Sequence, residues 1–407
     1  MSQSASTDVQ LPPWSDAPLP HWAQSIQVRK GDAPMRMAPT RQSKRRGSAS
    51  REARLPLFAA RYGSGCREPW LHVGPQAWLC GDDVELSGSK WAPAGWHPLR
   101  STPDGLPFRY FFVSRDGSFA YDTLDRVDIG EPAMSLEPGF AVAVTEQRVV
   151  GYQIYGRTNR GLWLPMRDLN AARTFLFHGS DVEAVDGVIP VAWVVVDRAR
   201  VYRKSGKSFV PTARSIARFE MVAWREQVEV FGRSFARISD DEWLRGHDLR
   251  HPTVGALPEG VATDERWLDV ELASQTLVAY EGARPVYATI VSTGKGKTRG
   301  HPFETPKGLH RVWVKLQTAV MDNLEDEGAS NYWRIEDVPY VQYFAKGVGL
   351  HAAFWHRSFG HVRSHGCVNL APIDAQRLFW FTAPHLPSGW TAVLPTEYEK
   401  GNLIRVR

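Results

Sequence analysis

Residues 350–370 read LHAAFWHRSFGHVRSHGCVNL and hold four of the thirteen histidines and one of the three cysteines of the chain. A thiol is a useful nucleophile only as a thiolate, so a catalytic cysteine needs an imidazole to take its proton and N–H donors for the oxyanion that its attack creates. His351 is a candidate base for Cys367. Gly366 lets the backbone N–H groups around the cysteine face a substrate carbonyl. The segment therefore predicts nucleophilic catalysis by Cys367.

Two other interpretations of this segment stay open from the residues alone. Its histidines and cysteine could be ordinary core or surface residues, although four His, a Cys and a Gly are an unusual composition for a packing element. They could also bind zinc, because imidazole and thiolate both suit that ion. The zinc ligands would be His351, His361, His365 and Cys367, but no Cys-x-x-Cys or His-Glu-x-x-His spacing supports such a site.

The run Ser364-His365-Gly366-Cys367-Val368-Asn369, preceded by His351, resembles the signature of the L,D-transpeptidases, the YkuD-type catalytic domain of bacterial peptidoglycan enzymes. The resemblance covers about residues 267–395. His310 departs from the aromatic residue that the family often has there. Supporting matches are VSTG at 291–294, TPKG at 305–308 and VPY at 338–340. The resemblance implies a mainly β catalytic domain with short helices, which we place at residues 261–398, and chemistry that needs no cofactor and no metal.

The resemblance also implies the reaction. Cys367 would attack the carbonyl between the third residue and the terminal D-Ala of a stem tetrapeptide, release D-Ala, and pass the acyl group to an amine of a second stem as a 3→3 cross-link. His351 would serve as acid and base, oriented by a backbone carbonyl near Ala352. The other expected site residues support the oxyanion and the loop (His365, Gly366, Ser364 and Asn369) or contact the substrate (Arg363, Tyr343 and Trp355).

Other outcomes share this chemistry. Water as the acceptor would make the protein an L,D-carboxypeptidase, and a protein amine as the acceptor would attach a protein to peptidoglycan. A non-catalytic wall-binding protein is the alternative from another class, and the intact His351, Ser364, His365, Gly366 and Cys367 argue against it. The expected partners are peptidoglycan stem peptides, with envelope proteins as further candidates.

A second motif, at residues 294–298, is partly similar to a nucleotide-binding loop. Gly294-Lys295-Gly296-Lys297-Thr298 ends like a phosphate-binding loop, but Val291 stands where that pattern needs glycine, and Gly300-His301-Pro302 does not begin a helix. We therefore expect no nucleotide, and a flexible, basic loop beside the active site. The net charge of +5, from 49 Lys and Arg against 44 Asp and Glu, does not demand nucleic acid, and we expect none.

Composition divides the rest of the chain. Hydrophobic residues are 43% and charged residues 23% of the sequence, the balance of a folded globular protein. Residues 1–53 are rich in Ser, Pro, Ala, Gln and Arg and predict a disordered basic tether. Short apolar runs between turn residues predict three β-rich modules, at 54–100, 101–188 and 189–260, which serve wall binding or packing. The first resembles a bacterial SH3-like module, and the third is expected to be a second module of that kind.

Within the catalytic domain, the sequence predicts mostly strands. Alternating apolar residues and a Gly-containing turn indicate a hairpin over residues 268–291. Further strands are expected at 310–316 and 338–344. Pro372 to Phe381 predicts a helix with proline in its first turn.

Cys66 and Cys80 lie fourteen positions apart, which suits a disulfide and two buried free thiols equally well. Peptidoglycan lies outside the inner membrane, so the family resemblance favours export to the cell envelope or periplasm, a Cys66–Cys80 disulfide and a free Cys367. The first thirty residues contain no apolar run of signal-peptide length, so we expect either a removed signal or a misassigned start. No 18 consecutive apolar residues occur, so no membrane-spanning helix is predicted.

Overall fold

The computed structural model describes residues 14–91, 102–173, 175–298, 301–323 and 332–407. The chain is mainly β, as predicted, and it divides into two compact units. The first unit comprises Met1–Pro98 and His385–Tyr398, and the second comprises Leu99–Pro384 and Glu399–Arg407. No helix within the described ranges is long and apolar enough to cross a bilayer.

Residues 14–91 form short strands around a small apolar core. Ile26 and Val28, on either side of Gln27, direct one face of their strand inward and are fully buried. The strands are β1 (Ser15–Asp16), β2 (Ser25–Val28), β3 (Ala33–Arg36), β4 (Arg45–Ala49), β5 (Arg54–Pro56), β6 (Ala59–Tyr62), β7 (Trp70–Gly74), β8 (Ala77–Cys80) and β9 (Val84–Ser87). The predicted disulfide between Cys66 and Cys80 is confirmed, and Cys367 is free.

Residues 102–173 form a β-rich region with a short helix, α1 (Leu124–Ile129). Its strands are β10 (Arg109–Val113), β11 (Ser118–Ala120), β12 (Met134–Leu136), β13 (Ala141–Val150), β14 (Gln153–Thr158), β15 (Trp163–Pro165) and β16 (Leu169–Ala171). The long strand β13 pairs with both β10 and β14. Phe111, Val142 and Leu164 lie in the core that these strands enclose.

Residues 180–250 contain further short strands, and the predicted boundary between 188 and 189 lies inside the second compact unit. The strands are β17 (Ser180–Asp181), β18 (Val191–Val194), β19 (Arg198–Ser205), β20 (Ser208–Ala217), β21 (Met221–Ala223), β22 (Glu226–Val230), β23 (Arg233–Arg237), β24 (Glu242–Arg245) and β25 (Leu249–Arg250). Five of them form a sheet in the order β20-β19-β24-β23-β22, and β21-β18-β25 form a smaller one. The SH3-like identity of this region and of residues 54–100 stays a prediction.

Residues 266–407 contain the remaining strands and the helix α2 (Pro372–Phe381), whose predicted bounds are confirmed. The strands are β26 (Arg266–Glu271), β27 (Thr276–Glu281), β28 (Arg284–Ile290), β29 (Gly296–Thr298), β30 (His301–Phe303), β31 (Gly308–Arg311), β32 (Val314–Asp322), β33 (Arg334–Ala345), β34 (Val348–Ala352), β35 (Val368–Leu370), β36 (Trp390–Val393) and β37 (Leu403–Val406). The predicted hairpin and the strand at 338–344 are confirmed. The single strand predicted at 310–316 is divided between β31 and β32.

Two sheets and α2 support the catalytic segment. One sheet has the order β17-β28-β27-β26-β37-β31, and the other includes β32-β33-β34-β35. Helix α2 begins two residues after β35, and the fully buried Asp374 in its first turn accepts hydrogen bonds from the hydroxyl groups of Tyr287 and Thr289 and from the Gly179 N–H. These bonds tie α2 to the six-stranded sheet and fix the end of the strand that follows Cys367.

The prediction of a disordered tether is wrong for residues 14–53. These residues include β1 to β4, and Met35 on β3 is completely buried. Strand β4 pairs with β36, which comes from the other end of the sequence, and a Cβ at Gly47 would meet the Ala392 carbonyl oxygen at 2.3 Å. The composition predicted disorder because each strand is short and obtains its burial from residues distant in sequence. Residues 1–13 lie outside the described ranges.

The predicted boundaries also need correction. Residues 385–398 were expected in the catalytic domain, but they belong to the first unit, where β36 pairs with β4. Within the predicted basic tether, the Arg46 side chain is buried. It lies 5.5 Å from the Trp390 ring centre and donates to the Leu394 carbonyl. The first unit therefore depends on both ends of the sequence.

Candidate active site

Strands β34 and β35 bring His351 and Cys367 to one cavity. The two strands are parallel neighbours, with Leu350 opposite Val368 and His351 opposite Asn369, and Cys367 immediately precedes β35. The cavity has a volume of about 1280 Å³, lies within the second unit, and is lined by both His351 and Cys367. The structure thus brings together the two residues that the sequence singled out, although they are sixteen positions apart.

His351 is buried and held as a neutral base. Its Nδ1 lies 3.0 Å from the carbonyl oxygen of Ala352, which confirms the expected orienting partner. A carbonyl can only accept, so Nδ1 carries the hydrogen and Nε2 is left as the acceptor. Burial lowers the pKa of His351 to about 4, because the charged imidazolium loses its hydration there. The ring of Trp355 stacks on it with centroids 5.8 Å apart.

Cys367 is held as a neutral thiol. Its side chain is only partly exposed, and desolvation raises the pKa of the thiol above the usual 9.0, while the Gly349 backbone opposes this rise. The Sγ atom lies 3.9 Å from the Gly347 carbonyl oxygen. Burial therefore shifts both pKa values toward the neutral forms, a thiol for Cys367 and an unprotonated imidazole for His351. The arrangement therefore suits general-base removal of the thiol proton during attack.

The loop before Cys367 is fixed by two hydroxyl groups. The Ser364 hydroxyl accepts from the Gly366 N–H at 3.1 Å and donates to the Cys367 carbonyl, and the Thr305 hydroxyl donates to the Gly366 carbonyl at 2.7 Å. Gly366 has φ +122°, a conformation that favours glycine. The Gly366 N–H was expected to bind the oxyanion, and this is corrected: it is already engaged by Ser364. The expected loop-supporting role of Ser364 agrees with these contacts.

The segment after β28 is hydrogen-bonded along the catalytic loop. Ser292 and Asn369 exchange backbone hydrogen bonds of 3.0 and 2.8 Å. The Thr293 carbonyl accepts from the N–H groups of Arg363 and Ser364, and the Ser364 carbonyl accepts from the Lys295 N–H. The VSTG and TPKG motifs therefore position the loop from both sides, through Ser292 to Gly294 and through Thr305.

The remaining predicted site residues also line the cavity. The ring of His365 is exposed and makes an edge contact with Phe303 at 4.5 Å. Gly366 is not among the residues that line the cavity. The other residues predicted for oxyanion or loop support and for substrate contact do line it: Ser364, His365, Asn369, Arg363, Tyr343 and Trp355. The structure brings these side chains together without assigning a role to each.

The alternative zinc set is not assembled. His361 points its Nε2 toward the Val195 carbonyl oxygen at 3.2 Å. Across the described part of the chain, the only group of three or more His, Cys, Asp and Glu side chains close enough to share an ion is Cys66, Cys80 and Asp82, and the two sulfurs of that group are joined in the disulfide. The nucleotide alternative also fails, because Gly296–Thr298 forms β29 and pairs with β30 instead of leading into a helix.

The sequence did not indicate several residues of the site. Phe112 and Gly139 line the cavity from the region at 102–173, which carried no catalytic spacing. Met321 and Trp333 line it from β32 and the start of β33. His356 is buried behind Asn369, with its Nε2 2.9 Å from the Asn369 carboxamide. The concentration of histidines was a signal for His356, whereas no local pattern pointed to Phe112.

Comparison with known proteins identifies the type of catalytic domain. Residues 265–389 match a family model described as the L,D-transpeptidase catalytic domain, YkuD. No curated protein is significantly similar to the chain.

Solved structures similar to this chain include several L,D-transpeptidases. A mutant of the Enterococcus faecium enzyme is 22% identical over 35% of this chain and 50% of that chain, with a TM-score of 0.27. An enzyme from Stackebrandtia nassauensis is 27% identical over 36% and 57% of the two chains, with a TM-score of 0.24. L,D-transpeptidase 3 from Mycobacterium tuberculosis, in complex with a faropenem-derived adduct, is 16% identical over 42% and 76%, with a TM-score of 0.27. The match spans about half the length of the first of these structures.

Proposed function

We propose that the chain, whose residues 265–389 form an L,D-transpeptidase catalytic domain, is a peptidoglycan L,D-transpeptidase with Cys367 as its nucleophile. The observation that carries this proposal is that Cys367 and His351 line one cavity, with Nδ1 of His351 held by the Ala352 carbonyl. That hydrogen bond leaves Nε2 as the proton acceptor. A non-catalytic wall-binding protein would have no need of a buried imidazole oriented in this way.

The acylation step uses this pair. The Cys367 sulfur attacks the carbonyl carbon between the third residue and D-Ala of a stem tetrapeptide, while His351 takes the thiol proton on Nε2. The C–N bond then breaks, and the imidazolium returns that proton to the nitrogen of the departing D-Ala. The product is a thioester between Cys367 and the stem, and His351 is again neutral.

The deacylation step forms the cross-link. An amine of a second stem attacks the thioester carbonyl, His351 accepts the proton that this amine loses, and the C–S bond breaks. The proton then passes to the Cys367 sulfur and restores the thiol. Because the Gly366 N–H is engaged by Ser364, we assign the Cys367 N–H as the backbone donor to the oxyanion, with His365 as a further contributor.

The size and charge of the cavity support a reaction between two peptides. Its volume of about 1280 Å³ exceeds the roughly 300–1,000 Å³ usual for one small ligand. Lys295 and Arg363 line it and suit the carboxylates of stem peptides, while Asp322 suits an approaching ammonium group. Since stem peptides lie in the cell envelope, we propose that the chain acts there after export.

Intact mass spectrometry with a tetrapeptide muropeptide tests the proposal. We expect an adduct of the tripeptide stem on the wild-type protein, release of D-Ala, and a cross-linked dimer. The Cys367→Ala variant should give none of the three. Release of free tripeptide stem without dimer would assign water as the acceptor, and absence of both adduct and D-Ala release would reject the catalytic proposal.

A carbapenem offers a second test of the same site. Its strained amide presents a carbonyl to the same sulfur and oxyanion donors, so we expect a stable mass adduct on the wild-type protein and none on Cys367→Ala. If active protein formed no adduct, the proposed geometry of sulfur and oxyanion donors would be wrong.

A further inference from the structure

Residues 102–173 pack directly against the catalytic domain, within the second unit. Strand β13 pairs with β33, and the Tyr110 hydroxyl donates to the Asp337 carbonyl at 2.7 Å. The ring of Tyr110 also stacks on that of Phe354, with centroids 4.0 Å apart. One buried apolar cluster contains side chains from both regions. Residues 102–173 lie outside the match to the family model, yet they share a core with the residues that match it.

The side chain of Phe112 extends this region into the catalytic cavity. Neighbouring side chains of a strand project from opposite faces, and Phe111 and Phe112 on β10 do so. Phe111 is buried in the core within residues 102–173, whereas Phe112 is only partly buried and lines the cavity. Phe112 therefore offers apolar surface to whatever enters the cavity.

Ring contacts place Phe112 on the side of the cavity that holds the base. Trp355, which also lines the cavity, stacks on His351 with ring centroids 5.8 Å apart. The ring of Phe354 lies 5.2 Å from that of Trp355 and 6.2 Å from that of Phe112. Trp355 and Phe112 thus form one apolar surface, the base-side wall, which extends from His351 to β10.

The loop that carries Cys367 forms a wall of different chemistry. Arg363 and His365, which precede Cys367 in that loop, are exposed and line the cavity. Lys295 is exposed as well and lines the cavity beside them, because its backbone N–H donates to the Ser364 carbonyl at 3.0 Å. This wall is polar and largely cationic, in contrast to the base-side wall.

The chemistry of acyl transfer assigns the two walls to different parts of the substrates. Nε2 of His351 gives a proton to the nitrogen of the departing D-Ala and later takes a proton from the attacking amine, so both nitrogens must approach His351. The acyl group stays on the sulfur of Cys367 between these steps. The leaving group and the acceptor therefore enter and leave along the base-side wall.

We propose that Phe112 is a specificity-determining residue for the acceptor. With Trp355 it forms the apolar surface along which the aliphatic side chain of an amine acceptor lies while its nitrogen attacks the thioester. The same surface disfavours water, the competing acceptor, because it offers water no hydrogen bond. This inference rests on the proposed function, and it gives residues 102–173 a part in selecting the acceptor.

The fate of the acyl-enzyme tests this role, because it does not depend on how fast the acyl-enzyme forms. The full chain is incubated with a tetrapeptide muropeptide, and mass spectrometry measures the ratio of cross-linked dimer to free tripeptide stem. In Phe112→Ala this ratio should fall about tenfold, the effect of one lost apolar contact. Phe112→Leu keeps an apolar side chain and should retain most of the ratio.

Phe119→Ala is the matched control, because Phe119 belongs to the same region but is 44% exposed and is not among the residues that line the cavity. It should keep the wild-type ratio. A carbapenem adduct on Cys367 shows that the site of each variant is intact. If Phe112→Ala forms no adduct, Phe112→Gln replaces it in the measurement, and the same fall is expected.

The outcomes separate this inference from the proposed function. An unchanged ratio in the Phe112 variant, or an equal fall in Phe119→Ala, would overturn the inference. A wild-type acyl-enzyme that gives only free tripeptide stem would also overturn it, because no amine would then be the acceptor. A wild-type protein that forms no acyl-enzyme would instead reject the proposed function.

Discussion

The molecule holds cysteines in two regions, and each region puts the thiol to a different use. In the first unit, Cys66 follows β6 and Cys80 ends β8, their Cα atoms are 5.7 Å apart, and their sulfurs form a disulfide. In the second unit, Cys367 is free and lines a cavity together with His351. The disulfide consumes two thiols, whereas the thiol of Cys367 stays free beside His351, where we propose that it attacks a carbonyl. The chemistry of each cysteine therefore depends on what the fold places beside it.

The packing around the two regions differs as well. Cys80 packs with Trp70 and Trp78, so the disulfide forms part of an apolar cluster. The walls around Cys367 combine apolar and charged side chains, including Trp355 and Arg363. The first environment packs the bridge against aromatic rings, and the second leaves the sulfur beside a cavity with charged walls. Each of the predictions below tests one side of this contrast.

The largest effect is expected from Cys367→Ala. Without the sulfur no thioester can form, so release of D-Ala from stem tetrapeptides should fall by roughly 10⁴-fold or more. The measurement is D-Ala release under steady-state conditions. The matched control is the double variant Cys66→Ala, Cys80→Ala, which keeps Cys367 and should keep its turnover. Wild-type release by Cys367→Ala would show that the free thiol is not the nucleophile.

A smaller loss is expected from His351→Ala. Removal of a general base costs about 10²–10⁴-fold, and the thiol of Cys367 loses its proton acceptor at the same time. His361→Ala is the matched control, because His361 belongs to the same segment but faces the Val195 carbonyl. Rates of acyl-enzyme formation should separate the two variants. Equal rates would mean that His351 is only a packing residue.

The pH dependence of the reaction should reflect two neutral groups. The neutral form of His351 is the base that we propose, and because its pKa is lowered to about 4, that form prevails at every pH above about 4. On lowering the pH from about 8, kcat/KM should therefore stay level to about pH 5 and then fall. An imidazole with the usual pKa of 6.5 would instead lose half of its base form at about pH 6.5.

The pH dependence of alkylation tests whether the pKa of the Cys367 thiol is raised. The raised pKa of Cys367 keeps the thiolate scarce near neutral pH, so its reaction with iodoacetamide should be slow at about pH 7 and should accelerate as the pH passes 9. A fast rate that does not change between about pH 5 and 8 would indicate a preformed thiolate–imidazolium pair. That outcome would contradict the prediction that Cys367 and His351 are both neutral before substrate binds.

The catalytic region was the more predictable of the two from sequence. Ser364, Gly366 and Cys367 lie within four positions, so their hydrogen bonds are local, and the helix after β35 has Pro372 in its first turn. The orientation of His351 by Ala352 also involves adjacent residues. Chemistry that depends on neighbours in sequence can be inferred from a pattern of residue types.

The parts that were not predicted depend on residues far apart in the chain. The burial of Arg46 comes from Trp390 and Leu394, which no local window contains. Phe112 reaches the catalytic cavity from a region without catalytic spacing. The position of the hydrogen on His356 depends on which atoms face its two ring nitrogens. Distant pairing and the direction of hydrogen bonds are decided by the folded structure, and a sequence pattern does not record them.

The smallest effect on catalysis, and the largest on the first unit, is expected from removal of the disulfide. The chain-entropy account gives about 3 kcal/mol for a closed loop of about 15 residues, so the Cys66→Ala, Cys80→Ala variant should unfold the first unit at a lower temperature. Calorimetry measures this shift, and D-Ala release below that temperature should match wild type.

Thiol counting on denatured, unreduced wild-type protein should find one reactive thiol. A count of three would mean that the bridge does not form in solution, and the contrast between the two regions would then rest on the imidazole alone. A count of one in the wild type that rises to two in Cys367→Ala would instead mean that Cys367 takes part in a bridge, which is incompatible with its role as the nucleophile.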